Sequence, residues 1–123
     1  MNIDSVAISL ANYVGKENVK KINSQKYAIN TRLMLIDNFN YLTIYLVKID
    51  NKLYFADFGA VVDSFDDPNL PKDKMNQFYK FLEKTQIEFE NDERFIMETN
   101  DEKVYFDYNI FIMALTYIQT FKL

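Results

Sequence analysis

Two apolar stretches joined by a pair of turn-forming residues dominate the chain: Tyr41-Leu42-Thr43-Ile44-Tyr45-Leu46-Val47-Lys48-Ile49, then Asp50-Asn51, then Leu53-Tyr54-Phe55-Ala56. β-Branched and aromatic residues in such runs favour pleated strands, and Asp-Asn suits the positive-φ positions of a tight hairpin turn. With those two residues as the loop, the cross-strand pairs are Ile49/Lys52, Val47/Tyr54, Leu46/Phe55 and Ile44/Asp57. One face then carries Ile44, Leu46, Leu53 and Phe55, and the other Tyr45, Val47, Tyr54 and Ala56. Both faces are largely apolar. The hairpin therefore belongs in the interior of a sheet, or keeps one face for a function.

Helical spacing brackets it. Val6, Ala7, Leu10, Ala11 and Val14 follow Asp4, which is placed to cap a first helix over about residues 4–14, and Gly15 stands where a C′ glycine belongs. A basic segment, Lys16, Lys20, Lys21, Lys26 and Arg32, overlaps one or two short strands around residues 27–35, and residues 37–40 read as a turn. Gly59 ends the hairpin, Val61 and Val62 anchor the chain again, and residues 63–71 form an acidic loop. Pro71 opens a second helix with Met75, Phe78, Tyr79 and Leu82 as its stripe. Ile87 and Phe89 alternate with Glu88 and Glu90, and Arg94 to Thr99 is β-like. The last helix, over about residues 105–121, repeats apolar residues at Phe106, Ile110, Phe111, Ala114, Tyr117, Ile118 and Phe121. This order predicts a single α+β domain over residues 1–123, an antiparallel sheet of about 4–5 strands with about three helices packed on it. At 123 residues the chain is long enough for one core.

What is missing limits the chemistry. With no Cys and no His, a disulfide framework and a thiolate metal site are excluded, and the usual general base is absent. Two glycines in all cannot build a phosphate-cradling loop. Ser5, Ser9, Ser24 and Ser64 have no neighbouring pattern that would activate a nucleophile, and no cofactor is called for. The acids Asp63, Asp66, Asp67, Glu88, Glu90, Asp92 and Glu93 offer oxygen ligands to a hard cation, and Asp101-Glu102-Lys103 offers the Asp-x-Lys half of a nuclease-like site. A carboxylate-based, metal-dependent nuclease or phosphodiesterase is thus one alternative, although solvated turns and helix caps explain the same acids more simply. Met1-Asn2-Ile3-Asp4 lacks the basic charge of a signal peptide, and the run from Ile110 to Leu115 is too short to span a bilayer. A cytoplasmic location and no membrane partner are expected.

Charge is unevenly distributed. Residues 1–49 hold six basic and three acidic side chains (+3), residues 50–107 hold seven and fifteen (−8), and the last sixteen add one lysine, giving the net −4. An acidic middle repels nucleic acid and attracts basic partners. The basic segment with Tyr27 supports a further alternative, a weak nucleic-acid-binding regulator. Lysine outnumbers arginine twelve to two, and Asn, Ile and Tyr are abundant, a bias that points to an AT-rich genome such as that of a low-GC bacterium, its phage or its plasmid. Of the nine tyrosines, Tyr41, Tyr45 and Tyr54 share a sheet face. Packing against a helix is the expected reason; an exposed face would instead serve a partner or a homodimer.

At the end of the hairpin stands Ala56-Asp57-Phe58-Gly59. Asp-Phe-Gly holds magnesium in protein kinases, yet neither the Gly-rich loop nor the catalytic-loop signature accompanies it here. Asp57 therefore reads as a turn-capping acid, with Gly59 supplying a backbone conformation other residues avoid.

The succession of apolar strand, tight turn, second strand ending in Asp57-Phe58-Gly59 and apolar pair resembles an uncharacterised family of small bacterial and phage domains. In that family an Asp-x-Gly strand end is followed by a helix, an acidic strand region and a long closing helix; the likeness extends through residues 75–82, 87–97 and 106–121. The family has no agreed activity, and the resemblance carries over Asp57 and Gly59 alone. Phe58 replaces the polar residue often found between them, which suggests an apolar anchor.

These observations lead to an expectation of a small, non-enzymatic protein-binding module from a bacterium or its mobile elements. Its specific form is an anti-CRISPR-like inhibitor of a host defence nuclease, presenting acids where that nuclease expects phosphates. The candidate partner-binding residues are Asp57, Asp63, Asp66, Asp67, Glu88, Glu90, Tyr45 and Tyr54.

Overall fold

Asp50 and Asn51 take left-handed φ angles of 50° and 65° in the computed structural model, the geometry a two-residue hairpin needs. The turn sets the pairing of β3 (Tyr41–Ile49) with β4 (Lys52–Ala56): Ile49 faces Lys52, Val47 faces Tyr54 and Leu46 faces Phe55, as the sequence predicts. The structure describes residues 2–35, 40–58, 72–90 and 94–120, without the side chains of Lys72, Lys74, Met75 and Phe78. Asp37 to Phe39 of the predicted turn, Gly59, Val61, Val62, the acidic loop at 63–71, Asp92, Glu93 and Phe121 lie outside the described residues.

The hairpin sits inside a six-stranded, wholly antiparallel sheet that also contains β1 (Val19–Asn23), β2 (Lys26–Met34), β5 (Glu88–Glu90) and β6 (Arg94–Thr99). The order is β1-β2-β3-β4-β6-β5. Six strands exceed the expected four or five because part of the basic segment forms β1. Lys20 and Lys21 obscure its strand pattern in the sequence, and charge on an edge strand discourages pairing with other chains.

Among the described residues three α-helices accompany the sheet: α1 (Ile3–Val14), α2 (Lys72–Thr85) and α3 (Val104–Gln119). Asn2, rather than Asp4, caps α1, its Oδ1 accepting the Asp4 N–H at 2.9 Å. Gly15 closes α1 at φ 101°, its N–H donating to the Ala11 carbonyl at 2.9 Å.

All three helices contribute to one core with Ile44, Leu46, Leu53 and Phe55. Phe55 lies at its centre, stacked on Phe111 at 6.0 Å and edge-on to Tyr108 at 5.9 Å between ring centroids. Complete burial of a side chain this size contributes about 1.5–3 kcal/mol, so this face of the hairpin anchors the domain. The other face takes no part in that core. On that face Val47, Ala56 and Ile96 are buried, Tyr45 and Tyr54 are half-buried, and Tyr41 is exposed.

A second correction concerns α3. Its buried stripe is Val104, Tyr108, Phe111, Leu115 and Ile118, whereas Phe106 and Tyr117, predicted as part of the apolar repeat, are 67% and 47% exposed. Tyr79 of α2 is exposed likewise. No helix among the described residues is long and apolar enough to cross a membrane.

Candidate partner-binding face

The hairpin ends in an unusual way. Asp57 is 1% exposed; its N–H donates to the Phe95 carbonyl at 3.2 Å, while its Oδ1 accepts the Phe95 N–H at 2.8 Å. The carboxylate thus takes the place that the Asp57 carbonyl would hold in a continued ladder between β4 and β6. The backbone turns at the next residue: Phe58 sits at φ 48°. The sequence reading assigned an unusual backbone to Gly59, which lies outside the described residues, and a turn-capping role to Asp57. Asp57 also bridges to a strand 38 residues away, and Phe58 takes a left-handed conformation.

That turn places Phe58 on the sheet face opposite the core, 41% exposed. Its ring meets Tyr45 edge-on at 5.0 Å. The Lys26 ammonium lies 4.5 Å from the Phe58 centroid and 5.1 Å from that of Tyr45, and the Arg94 guanidinium lies 5.2 Å from Phe58 on its own account. Arg94 Nη2 also donates to Glu90 Oε1 at 2.8 Å. Two rings, two cations and one carboxylate therefore form a single cluster drawn from β2, β3, β5, β6 and the end of β4. Each cation–π contact contributes about 0.5–1 kcal/mol at an exposed position, enough to hold the rings in place.

Tyr54 and Glu88 lie nearby on the same face, lining a recess of about 290 Å³ with Lys52, Gln86, Ile96 and Glu98. Lys52 and Glu98 pair at 3.3 Å across its rim, and the Glu98 hydrogen bond raises the Lys52 pKa. Both side chains are largely exposed, so the pair adds little stability. Of the candidate residues, Tyr45, Tyr54, Glu88 and Glu90 thus share one face, and Asp57 supports it from beneath. Asp63, Asp66 and Asp67 lie outside the described residues. Sequence reasoning missed Lys26 and Arg94 here, because strand pairing brings them to Phe58.

The other candidate chemistries are placed as follows. Among the described residues no three acids gather as a metal site would require. Asp101, Glu102 and Lys103 form an exposed turn before α3, with Asn100 Oδ1 accepting the N–H groups of Glu102 and Lys103 at 3.0 Å each. Asp107 is buried and accepts the Thr99 hydroxyl at 2.8 Å. Within the basic segment, Asp4 accepts the Tyr27 hydroxyl at 2.5 Å and pairs with Lys21 at 3.2 Å. Burial and the Asp4 hydrogen bond push the Tyr27 pKa up to about 12, and the same hydrogen bond, with Lys21, holds Asp4 below its usual value. The segment is therefore interrupted by an acid rather than uniformly basic.

A family model, "Domain of unknown function DUF1828", matches residues 33–118. The match runs from the end of β2 through α3 and so contains β3, β4, the Asp57 junction and both strands beyond it. No curated protein and no solved structure matches the chain.

Proposed function

We propose that this chain, which belongs to the DUF1828 family of domains of unknown function, is a non-enzymatic protein-binding module whose contact surface is the sheet face around Tyr45, Phe58 and Arg94. The observation that carries the reading is the state of Phe58. A left-handed conformation costs a residue with a Cβ about 1–2 kcal/mol, and such strain persists where surrounding structure imposes it, often at binding sites. Here the strained residue is an aromatic turned out to solvent and flanked by Lys26 and Arg94. Tyrosine, phenylalanine and arginine are the residues enriched at the centres of protein interfaces.

The charge of the surroundings favours a basic partner. Glu88, Glu90 and Glu98 border the cluster, in a segment with a net charge of −8 from seven basic and fifteen acidic residues at 50–107. The narrow form of the proposal is therefore an inhibitor from a phage or mobile element, acting on a nucleic-acid-binding protein of its bacterial host.

Affinity capture with the tagged chain, in extract of a low-GC bacterium, tests both forms. A specific captured protein is expected, lost with Phe58→Gly and weakened when Glu88 and Glu90 are reversed to lysine. Capture that survives Phe58→Gly would remove this face as the binding surface. Capture indifferent to the charge reversal would remove the basic-partner form and leave the general one. Magnesium-dependent cleavage of nucleic acid by the purified chain would replace the binding reading with an enzymatic one.

A further inference from the structure

A cavity of about 480 Å³ opens where α2 ends, β6 ends and α3 begins. Pockets that hold small organic ligands run roughly 300–1,000 Å³, so there is room for a ligand of nucleotide size. Lys84 stands in the last turn of α2 and Lys103 immediately before α3, and both line the cavity. The ion pairs among the described residues use Lys21, Lys52 and Arg94, so the ammonium groups of Lys84 and Lys103 are left without a carboxylate partner. The two acids in the lining are, by contrast, engaged. Glu98 pairs with Lys52 at 3.3 Å, and Asp107 accepts the Thr99 hydroxyl at 2.8 Å. No side chain caps the start of α3, whose dipole adds to the positive charge there.

Other groups in the lining suit a flat, hydrogen-bonding body. Gln86 and Asn100 contribute primary amides. Asn100 Oδ1 accepts the N–H groups of Glu102 and Lys103, which leaves its Nδ2 to donate, whereas the Gln86 amide keeps both its donor and its acceptor. Phe106 adds a ring that is 67% exposed, and Met97 and Ile110 add apolar wall. Gln86 also carries strain, with φ at 61° in a position where glycine is preferred. Strain of this kind collects at ligand-binding walls, where a side chain is kept despite what its backbone costs.

We infer that this cavity binds a nucleoside monophosphate, with the phosphate between Lys84 and Lys103 and the base against Phe106. The two unpaired ammonium groups select an anion, and charge-assisted hydrogen bonds to its oxygens are the strong ones. The ring and the amides select what the anion is attached to, since a base stacks on an aromatic face and offers its edge to Gln86 and Asn100. Two glycines are too few for a backbone phosphate cradle, so side-chain cations are the means this chain has for holding one. The inference concerns binding without turnover and involves neither Phe58 nor a protein partner, so it stands or falls apart from the proposed function.

Equilibrium dialysis of the full chain against adenosine monophosphate tests this. Saturable binding with a Kd of about 0.1 mM or tighter is expected, and adenosine, which lacks the phosphate, should bind about tenfold more weakly. Lys84→Ala and Lys103→Ala should each weaken binding of the nucleotide about tenfold. Lys20→Ala, which removes an exposed charge on β1 at the far edge of the sheet, should leave it unchanged. Phe106→Ala should weaken it about fivefold or more with no fall in melting temperature, because the ring is exposed. Gln86→Gly should lower affinity without lowering stability. No saturable binding at millimolar nucleotide overturns the inference. So does adenosine or inorganic phosphate that binds as tightly as the nucleotide, or a pair of Lys84 and Lys103 variants that bind like the wild type. A loss with Lys20→Ala equal to that with Lys103→Ala would show diffuse charge attraction in place of a site, and overturns it as well.

Discussion

Asp57 and Phe95 exchange two hydrogen bonds, one from main chain to main chain at 3.2 Å and one from the Phe95 N–H to the Asp57 carboxylate at 2.8 Å. A side-chain oxygen thereby ends a β ladder without leaving the last N–H of the partner strand unsatisfied. Asp57→Ala should lower unfolding free energy by about 1.5–3 kcal/mol, the range for a buried bond to a charged acceptor. Asp57→Asn, which keeps an acceptor oxygen, should lose less. Urea titration checks both, and an alanine variant as stable as the wild type would show that the bond contributes nothing.

Phe58 allows stability and binding to be separated. At φ 48° a glycine is relaxed and an alanine is not, so Phe58→Gly should be more stable than Phe58→Ala by about 1 kcal/mol although both lose the ring. Equal melting temperatures for the two variants would argue against strain at this position.

Gln86 offers the complementary case, one where strain can simply be removed. It follows α2 at φ 61°, the C′ position at which glycine is preferred. Gln86→Gly should raise stability by about 0.5–1 kcal/mol, read as a higher denaturation midpoint with an unchanged denaturant slope. A lower midpoint would mean that the Gln86 side chain contributes more than its backbone costs.

The link between Tyr27 and Asp4 predicts an alkaline weakness. The folded-state pKa of Tyr27 is raised from 10.0 to about 12, so the unfolded chain loses this proton first as pH rises. Its contribution is complete below pH 10 and falls between pH 10 and about 12. Tyr27→Phe should show a shallower loss of stability than the wild type across that window, measured by denaturation at each pH. Asp4 works at the other end: its pKa is lowered below 3.8, so its contribution is present above that value and disappears as pH falls through the folded-state pKa. Parallel alkaline curves for wild type and Tyr27→Phe would contradict the assignment.

How far the sequence can be read depends on the range of the interaction involved. The Leu46/Phe55 and Val47/Tyr54 pairs were legible because Asp50-Asn51 dictates a local register. The family resemblance was legible in the same stretch. The side of the sheet that helices cover was not: alternation along β3 says that Tyr45 and Val47 share a face, and with both faces apolar it says nothing about which one is covered. Phe106 and Tyr117 were misplaced for a similar reason, since a helix apolar on all sides gives no contrast by which to orient it. Lys26 and Arg94 reach Phe58 through pairings that no local pattern encodes.

The wide separation of Asp57 from Phe95 has a kinetic consequence. β2, β3 and β4 are joined by short connections, whereas the β4–β6 pairing must close a loop of 38 residues before it gains any contact. Loop closure of this length is an entropic cost met before the reward, so the meander should form in the rate-limiting transition state and the β4–β6 seam after it. Truncating Leu46 should then slow refolding, while removing the Asp57 carboxylate should leave refolding almost unchanged and accelerate unfolding. On that order of events the seam beside Phe58 is the part of the sheet that opens first.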